Sequence, residues 1–399
     1  MTDAIFWEWV SMAIRWLHVI AGIAWIGSSF YFIALDLSLK RREGLPEGAG
    51  GETWQVHGGG FYNMVKYMVA PARMPDELTW FKWEAYTTWL SGMALLVVVY
   101  YMAADLYMID PAVMELSAWA AIGVSLGGLA AGWLIYDAMC KSPLGNNDTV
   151  LALVGFLFLV VAAYLFTLVF SGRGAFTQMG VIVGSMMVGN VFFLIIPNQR
   201  KVVADLIAGR DPDPALGRAA KQRSLHNNYL TLPVVFVMIS GHYPLVFASK
   251  FSWLIFAVVL IMGAAIRHFF NEKHKGEPAP WWTWGIAVFC VVLIVWLSSV
   301  PATAPAVQAE IDALEPVQVG EIISARCSMC HAREPVWAGI TVAPKGVILE
   351  SQWDIHRHAT GIGLQVVATH AMPPGNITQI SEDERRVLAA WIEAGSPEW

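Results

Sequence analysis

The strongest constraint on this chain is that its apolar residues come in blocks long enough to cross a bilayer. A transmembrane helix needs about 20 mainly apolar residues. Eight runs reach that length, at 10–39, 80–104, 116–139, 149–170, 176–196, 229–247, 252–270 and 281–299. Charged residues make up 14% of the 399 residues and apolar ones 56%, whereas soluble domains carry about 25% charged residues. A lipid bilayer is therefore the expected surroundings. The nineteen tryptophans agree, because indole rings favour the membrane–water boundary. The first run reads as a retained span. Its leading segment holds Asp3 and Glu8 and no basic residue, and Arg15 interrupts the early apolar stretch, unlike a signal peptide. The net charge of −6 argues against nucleic acid as a partner, and four cysteines are too few for a disulfide scaffold.

Loop charges predict the orientation. Alternate connections carry fifteen basic residues, among them Lys40, Arg41, Arg42, Lys66, Arg73, Arg200, Lys201 and Lys273; the others carry only Arg173 and Lys250. Basic loops stay in the cytoplasm. Both termini are then expected on the outer, non-cytoplasmic side of the membrane.

Composition changes after residue 300. Pro301-Ala-Thr-Ala-Pro305 opens a linker, 301–307, and a polar tail follows at 308–399. The predicted fold is all-α, with an eight-span helix bundle over 1–300 and a small domain in the tail. Ser381 and Glu384 form a capping box that starts the last helix, whose apolar face reads Val387, Leu388 and Trp391.

Cys327-Ser-Met-Cys330-His331 is the C-x-x-C-H attachment pattern of c-type haem. Two thiols add to the two vinyl groups of one porphyrin, and the next residue supplies the proximal imidazole. The tail is therefore expected to be a class I-like cytochrome c domain with one covalent haem c. Met372, in His370-Ala-Met-Pro-Pro374, is the expected sixth ligand, so the metal ligands are His331 and Met372. A Met opposite a His raises the reduction potential. His356, His358, His370 or an open site are the alternatives. Attachment of this kind takes place outside the cytoplasmic membrane, in agreement with the loop charges.

Ionisable residues inside spans are functional candidates by default. Arg15 and His18 share one face of the first span, and His242 is expected at a comparable level at the outer end of the sixth. A second group lies toward the cytoplasm: Glu84 early in the second span, His226-Asn227-Asn228 entering the sixth, and Arg267-His268 ending the seventh. Each has a bland alternative. Arg267 and His268 could be basic anchors, Glu84 could pair with a helix-end cation, and His226 could cap a helix. Asp137 and Asn190 read as packing or helix-end residues, and His57-Gly-Gly-Gly60 as a flexible loop. Cys140 and Cys290 read as small hydrophobes.

Three stretches carry a family likeness: Arg15-Trp-Leu-His-Val-Ile-Ala-Gly-Ile-Ala-Trp-Ile-Gly27, Trp80-Phe-Lys-Trp-Glu-Ala-Tyr-Thr-Thr-Trp89 and His226-Asn-Asn-Tyr-Leu-Thr-Leu-Pro233. They resemble the bacterial membrane-bound urate oxidases (urate hydroxylases), in which an eight-span domain is fused to a C-terminal cytochrome c. The resemblance covers the whole chain. It implies oxidation of urate to 5-hydroxyisourate without hydrogen peroxide, with electrons passing through the haem to a soluble cytochrome c or terminal oxidase. A planar, anionic, amide-rich substrate suits Arg, which binds planar anions bidentately, and Asn, which offers both donor and acceptor. His is the natural proton acceptor near neutral pH. The catalytic candidates are therefore His226, Asn227, Asn228, Arg267, His268 and Glu84. A b-type haem between His18 and His242 would help electrons cross a hydrocarbon core about 30 Å thick. Two other functions fit the same residues: a quinol-to-cytochrome electron-transfer module, and a cytochrome c tethered to a non-catalytic scaffold.

Overall fold

A computed structural model describes residues 2–71 and 74–398. Arg73, one of the basic loop residues, and Trp399 lie outside them, as does the side chain of Asp3. The protein is mostly helical. Helix α1 (Thr2–Ser38) leads into a hairpin, β1 (Ala49–His57) and β2 (Gly60–Tyr67). Then come α2 (Trp83–Leu95), continued by a π-helical turn at Leu96–Tyr101, α3 (Ala104–Tyr107), α4 (Ala118–Lys141), α5 (Asp148–Thr167) and α6 (Gly172–Gly189). A second π turn, Asn190–Ile195, joins α6 to α7 (Ile196–Ile207), and α8 (Pro214–Ser240), α9 (Pro244–Phe247), α10 (Ser252–Lys275) and α11 (Trp282–Ser299) complete the bundle. The tail holds α12 (Gln308–Asp312), α13 (Pro316–Arg326), α14 (Gln352–Arg357), α15 (Ala359–Ile362) and α16 (Glu382–Glu393).

Six of these helical runs are long and apolar enough to cross a membrane: 5–38, 118–141, 148–167, 172–207, 252–275 and 282–299. The outward faces are apolar too. Leu153 on α5 is 64% exposed and Phe289 on α11 is 65% exposed, a surface compatible with membrane insertion. The run 172–207 is the central element, with 61% of its apolar window buried. Phe176, Met179, Ile182 and Met186 on α6 pack against Leu129 and Tyr136 on α4, Leu159 on α5, Val237 on α8 and Phe256 on α10.

Several sequence expectations are corrected. The fold is not wholly α, because β1 and β2 pair antiparallel from Ala49 opposite Tyr67 to His57 opposite Gly60. The stretch read as a flexible glycine loop is the turn of that hairpin. Gly58 and Gly59 take φ of 58° and 79°, the two successive positive values of a type I′ turn. Helix α8 starts fifteen residues before the expected span, at Pro214 rather than 229. His226-Asn227-Asn228 therefore lie in mid-helix. Helix α10 runs on to Lys275, so Arg267 and His268 sit two turns before its end.

Close approach of α8 and α10 depends on Gly263. A Cβ there would lie 2.4 Å from Pro233 Cδ on α8. The contact brings together the helix faces that carry Asn228 and Arg267.

The tail has its own apolar centre. Val319 and Ile323 on α13 meet Leu388 and Trp391 on α16, with Leu349, Ile355 and Ile362 around them. The expected capping box is present: Ser381 Oγ accepts from Glu384 N at 3.1 Å, and Glu384 accepts from Ser381 N at 2.7 Å. The linker is ordered against the tail, since Ala302 N donates to Ala368 O and Thr303 N to Val367 O. The tail also docks on the bundle. Gly375, with φ 55°, approaches α3 so closely that a Cβ would lie 2.3 Å from Ile109 O and 2.8 Å from Asp105 O.

Candidate functional site

Of the polar groups buried inside the bundle, which include Tyr101, Ser125 and Gln178, two lie toward the end that carries the hairpin. The first joins α4, the π turn after α6, and α8. Asn190 Nδ2 donates to Tyr136 Oη at 2.9 Å and to Asn227 Oδ1 at 2.8 Å. Its Oδ1 accepts from Arg223 Nη1 at 3.0 Å. Arg223, 2% exposed, also donates to Asp137 Oδ1 at 2.7 Å and lies over the Tyr136 ring. Asn227 Nδ2 donates to Met187 O at 2.9 Å, and Tyr136 Oη lies 2.8 Å from His226 Nδ1. The buried guanidinium has its carboxylate and both asparagine amides are engaged at each end. A group satisfied in this way rigidifies its surroundings and offers little to a ligand. His226 and Asn227 belong to it.

The second group lies between α1, α8 and α10 and is differently balanced. Arg267 is 5% exposed, Asn271 2% and Asn228 0%. Asn228 Oδ1 accepts from Arg267 Nε at 3.2 Å and from Asn271 Nδ2 at 3.0 Å. Asn271 Oδ1 accepts from Arg267 Nη2 at 3.2 Å. Phe30 of α1 lies against the guanidinium, 3.8 Å from ring centroid to Cζ, a cation–π distance. Arg267 has no carboxylate partner among the described residues. Among the described residues, Asn228 Nδ2 is buried without a hydrogen-bond partner. Buried charges and amides are normally paired. A fixed guanidinium and an unpartnered N–H beside an aromatic ring suit a planar anion that carries a carbonyl.

The other candidates lie apart from this group. Half-exposed His268 is 3.4 Å from Tyr229 Oη and 3.9 Å from Glu272. Glu84 sits in the first turn of α2 and makes no ion pair among the described residues, so it joins neither polar group and does not pair with a helix-end cation. His18 faces α2, with Nδ1 2.9 Å from Thr88 O and 3.2 Å from Ser91 Oγ. That places it near the middle of the helical run 83–101, whereas His242 is exposed in the turn after α8. The two histidines are at different levels, and no hydrogen bond among the described residues joins them.

In the tail, His331 Nδ1 lies 3.0 Å from Val347 O. A bond of this kind leaves Nε2 free as a metal ligand and fixes the ring. Cys327 and Cys330 are free thiols. Burial pushes Cys327 up to about 12 and raises Cys330 as well. Met372 and Cys327 pack against the same apolar cluster. The Met372 backbone is held from both sides, by Gln365 O and by the Arg385 guanidinium. His370, a rival ligand, has Nε2 2.6 Å from Thr303 Oγ1. Burial, and then the Arg385 charge, bring it down to about 4. His356 Nδ1 lies 2.9 Å from Ser396 O. The thiols, the free imidazole nitrogen, the thioether and the apolar lining fit a haem.

The urate oxidase N-terminal family matches residues 4–298, about three quarters of the chain. The chain belongs to this family. No curated protein and no solved structure matches it. The urate oxidase N-terminal region ends with α11, so both polar groups lie inside it and the C-x-x-C-H segment lies beyond it. Within that region, sequence reasoning missed Phe30, Tyr136, Arg223 and Asn271, while Asp137 and Asn190, read as packing or helix-end residues, belong to the satisfied first group. Asn190 opens a π turn, and such wide turns leave no clear mark in sequence.

Proposed function

We propose that this chain is a membrane-bound oxidoreductase that converts urate to 5-hydroxyisourate and delivers the electrons through a haem c in its own tail. The reaction consumes one water and releases two electrons and two protons. The observation that carries this reading is the buried Arg267, without a carboxylate partner, beside the unpartnered Asn228 Nδ2. Arg267 and Asn228 bind the urate anion in this reading, Phe30 lies along its plane, and Asn271 holds the guanidinium in place. His226 and Asn227 hold the framework through Tyr136 and Asn190.

The reading includes eight spans. The two beyond the six apolar ones are the run 83–101, which is helical throughout, and α8, whose first half is polar because it carries both buried groups. With the basic loops in the cytoplasm, the tail lies outside the inner membrane. Cys327 and Cys330 would hold the haem c and His331 and Met372 would ligate its iron, which would supply one-electron acceptance. Arg267 lies fifteen residues along α10 from Ser252, about 22 Å at 1.5 Å per residue. Electrons do not cross that distance efficiently in one step. His18, whose Nδ1 faces a backbone carbonyl as that of His331 does, is the proposed ligand of a b-type haem between them. His242 is not retained as its partner.

Anaerobic addition of urate to the purified protein, with the haem spectrum recorded, tests the reading. Urate should reduce the haem. Reduction by quinol but not by urate would favour the respiratory electron-transfer module instead.

A further inference from the structure

A cavity of about 330 Å³ opens at the hairpin end of the bundle, where the end of α1, strand β1 and the end of α10 meet. Its walls include Lys40, Arg42, Lys273, His274, Glu52 and Trp54. The volume is within the range of small-molecule sites, and the charge is lopsided. Glu52 is the one carboxylate of the lining, and it is already engaged. It accepts from Asn63 Nδ2 at 2.7 Å and Trp54 Nε1 at 3.2 Å, with Arg42 3.7 Å away. The hydrogen bonds from Asn63 and Trp54 lower its pKa. Lys40 and Lys273 have no ion pair among the described residues. Nor, among those residues, has His274 Nδ1, which is buried, a hydrogen-bond partner. Trp54 is 54% exposed and adds an aromatic surface. Cations, an unpartnered ring nitrogen and an indole favour a flat anion over a neutral or cationic ligand.

The position of the cavity gives it a purpose. Arg267, Asn271 and His274 follow at helical spacing on one face of α10, and Phe30 and Ser38 do so on α1. The cavity includes Ser38 and His274. The Phe30–Arg267 contact lies seven residues deeper on α10, about 10 Å by helical rise. Cavity and buried guanidinium thus share the seam between α1 and α10. We propose that this cavity captures the anionic purine from the cytoplasmic face and passes it along that seam to Arg267, with Lys40, Lys273, His274 and Trp54 selecting for a planar anion. The proposal rests on the urate reading above and extends it to the route by which substrate arrives.

The test uses the full-length holoprotein in nanodiscs of neutral phosphatidylcholine. The variants are Lys40→Gln with Lys273→Gln, Trp54→Leu, and the control Lys201→Gln on α7, outside the cavity. The double variant should raise the KM for urate about tenfold, equivalent to about 1.4 kcal/mol, with kcat within twofold. That split marks lost binding rather than lost chemistry. Trp54→Leu should raise KM by a smaller factor, and Lys201→Gln should match wild type. Inorganic phosphate should compete with urate in wild type but not in the double variant. Inside-out membrane vesicles should oxidise added urate and right-side-out vesicles should not. Wild-type turnover with an unchanged KM in the double variant overturns the capture site and leaves the urate reading standing. A KM effect seen only with anionic lipid in the nanodisc also overturns it, because the cavity would then hold a lipid headgroup. A wild type that neither binds nor oxidises urate overturns both.

Discussion

Asn228 accepts on its single side-chain oxygen from both Arg267 Nε and Asn271 Nδ2, at 3.2 and 3.0 Å. This arrangement orients its own Nδ2 without engaging it. Two helices thus fix three amide and guanidinium groups before any ligand arrives. Preorganised donors of this kind cost no reorganisation when charge develops on a bound molecule.

Replacing Arg267 should therefore separate charge from geometry. Arg267→Lys keeps the charge but loses the planar fork. The expected result is a loss in kcat/KM for urate on the order of 100-fold, with more lost in Arg267→Gln. Both should keep full covalent haem staining. Steady-state kinetics beside a haem-stained denaturing gel check this, and wild-type kinetics in Arg267→Lys would remove the guanidinium from the site.

Asn190→Ala should behave in the opposite way. It takes partners from Arg223, Tyr136 and Asn227 at once, at about 1–3 kcal/mol for each buried group left unpaired. The melting temperature in detergent should fall markedly, while the fraction that remains folded keeps the wild-type KM. A normal melting temperature with a raised KM would mean that this first group, not the second, contacts substrate.

Gly263→Val tests the packing that brings Asn228 to Arg267. Even a bare Cβ meets Pro233 of α8 at 2.4 Å, so the larger side chain must push α8 and α10 apart. Urate turnover should drop at least tenfold, and Gly263→Ala should show a milder loss. Covalent haem attachment in the tail should be unaffected by either.

Cys327→Ala combined with Cys330→Ala should abolish covalent haem staining. Met372→Ala should keep the stain and lower the reduction potential, because the thioether raises it. Redox titration reads the second effect. For the b-type haem, acid acetone should extract non-covalent haem from wild type and none from His18→Ala. If all haem in wild type stays attached to the chain, the role given to His18 is wrong.

What could be read from the sequence depended on whether the signal was local. The capping box at Ser381 and Glu384 involves residues three apart and was legible, as was the C-x-x-C-H spacing. The apolar runs located six long helices. Helix α8 was cut short because hydropathy detects lipid-facing surface, whereas residues 214–228 bury Arg223, Asn227 and Asn228 against other helices. The hairpin was lost because its turn glycines masked the strands on either side. Arg223, which joins Asp137 to Asn190, lies on α8, dozens of residues from either, and no spacing rule reaches that far.

The linker and the docking of Gly375 bear on how the tail meets its partners. Residues 302 and 303 are stitched to 367 and 368, and the loop after Met372 is seated on α3, an arrangement that suits a seated socket rather than a swinging arm. Under the proposed electron route, a carrier would have to travel to it. The rate at which the tail is emptied should then rise with carrier concentration and respond to ionic strength, and lengthening the chain between Val300 and Ala302 should slow the internal transfer without extending the protein's reach.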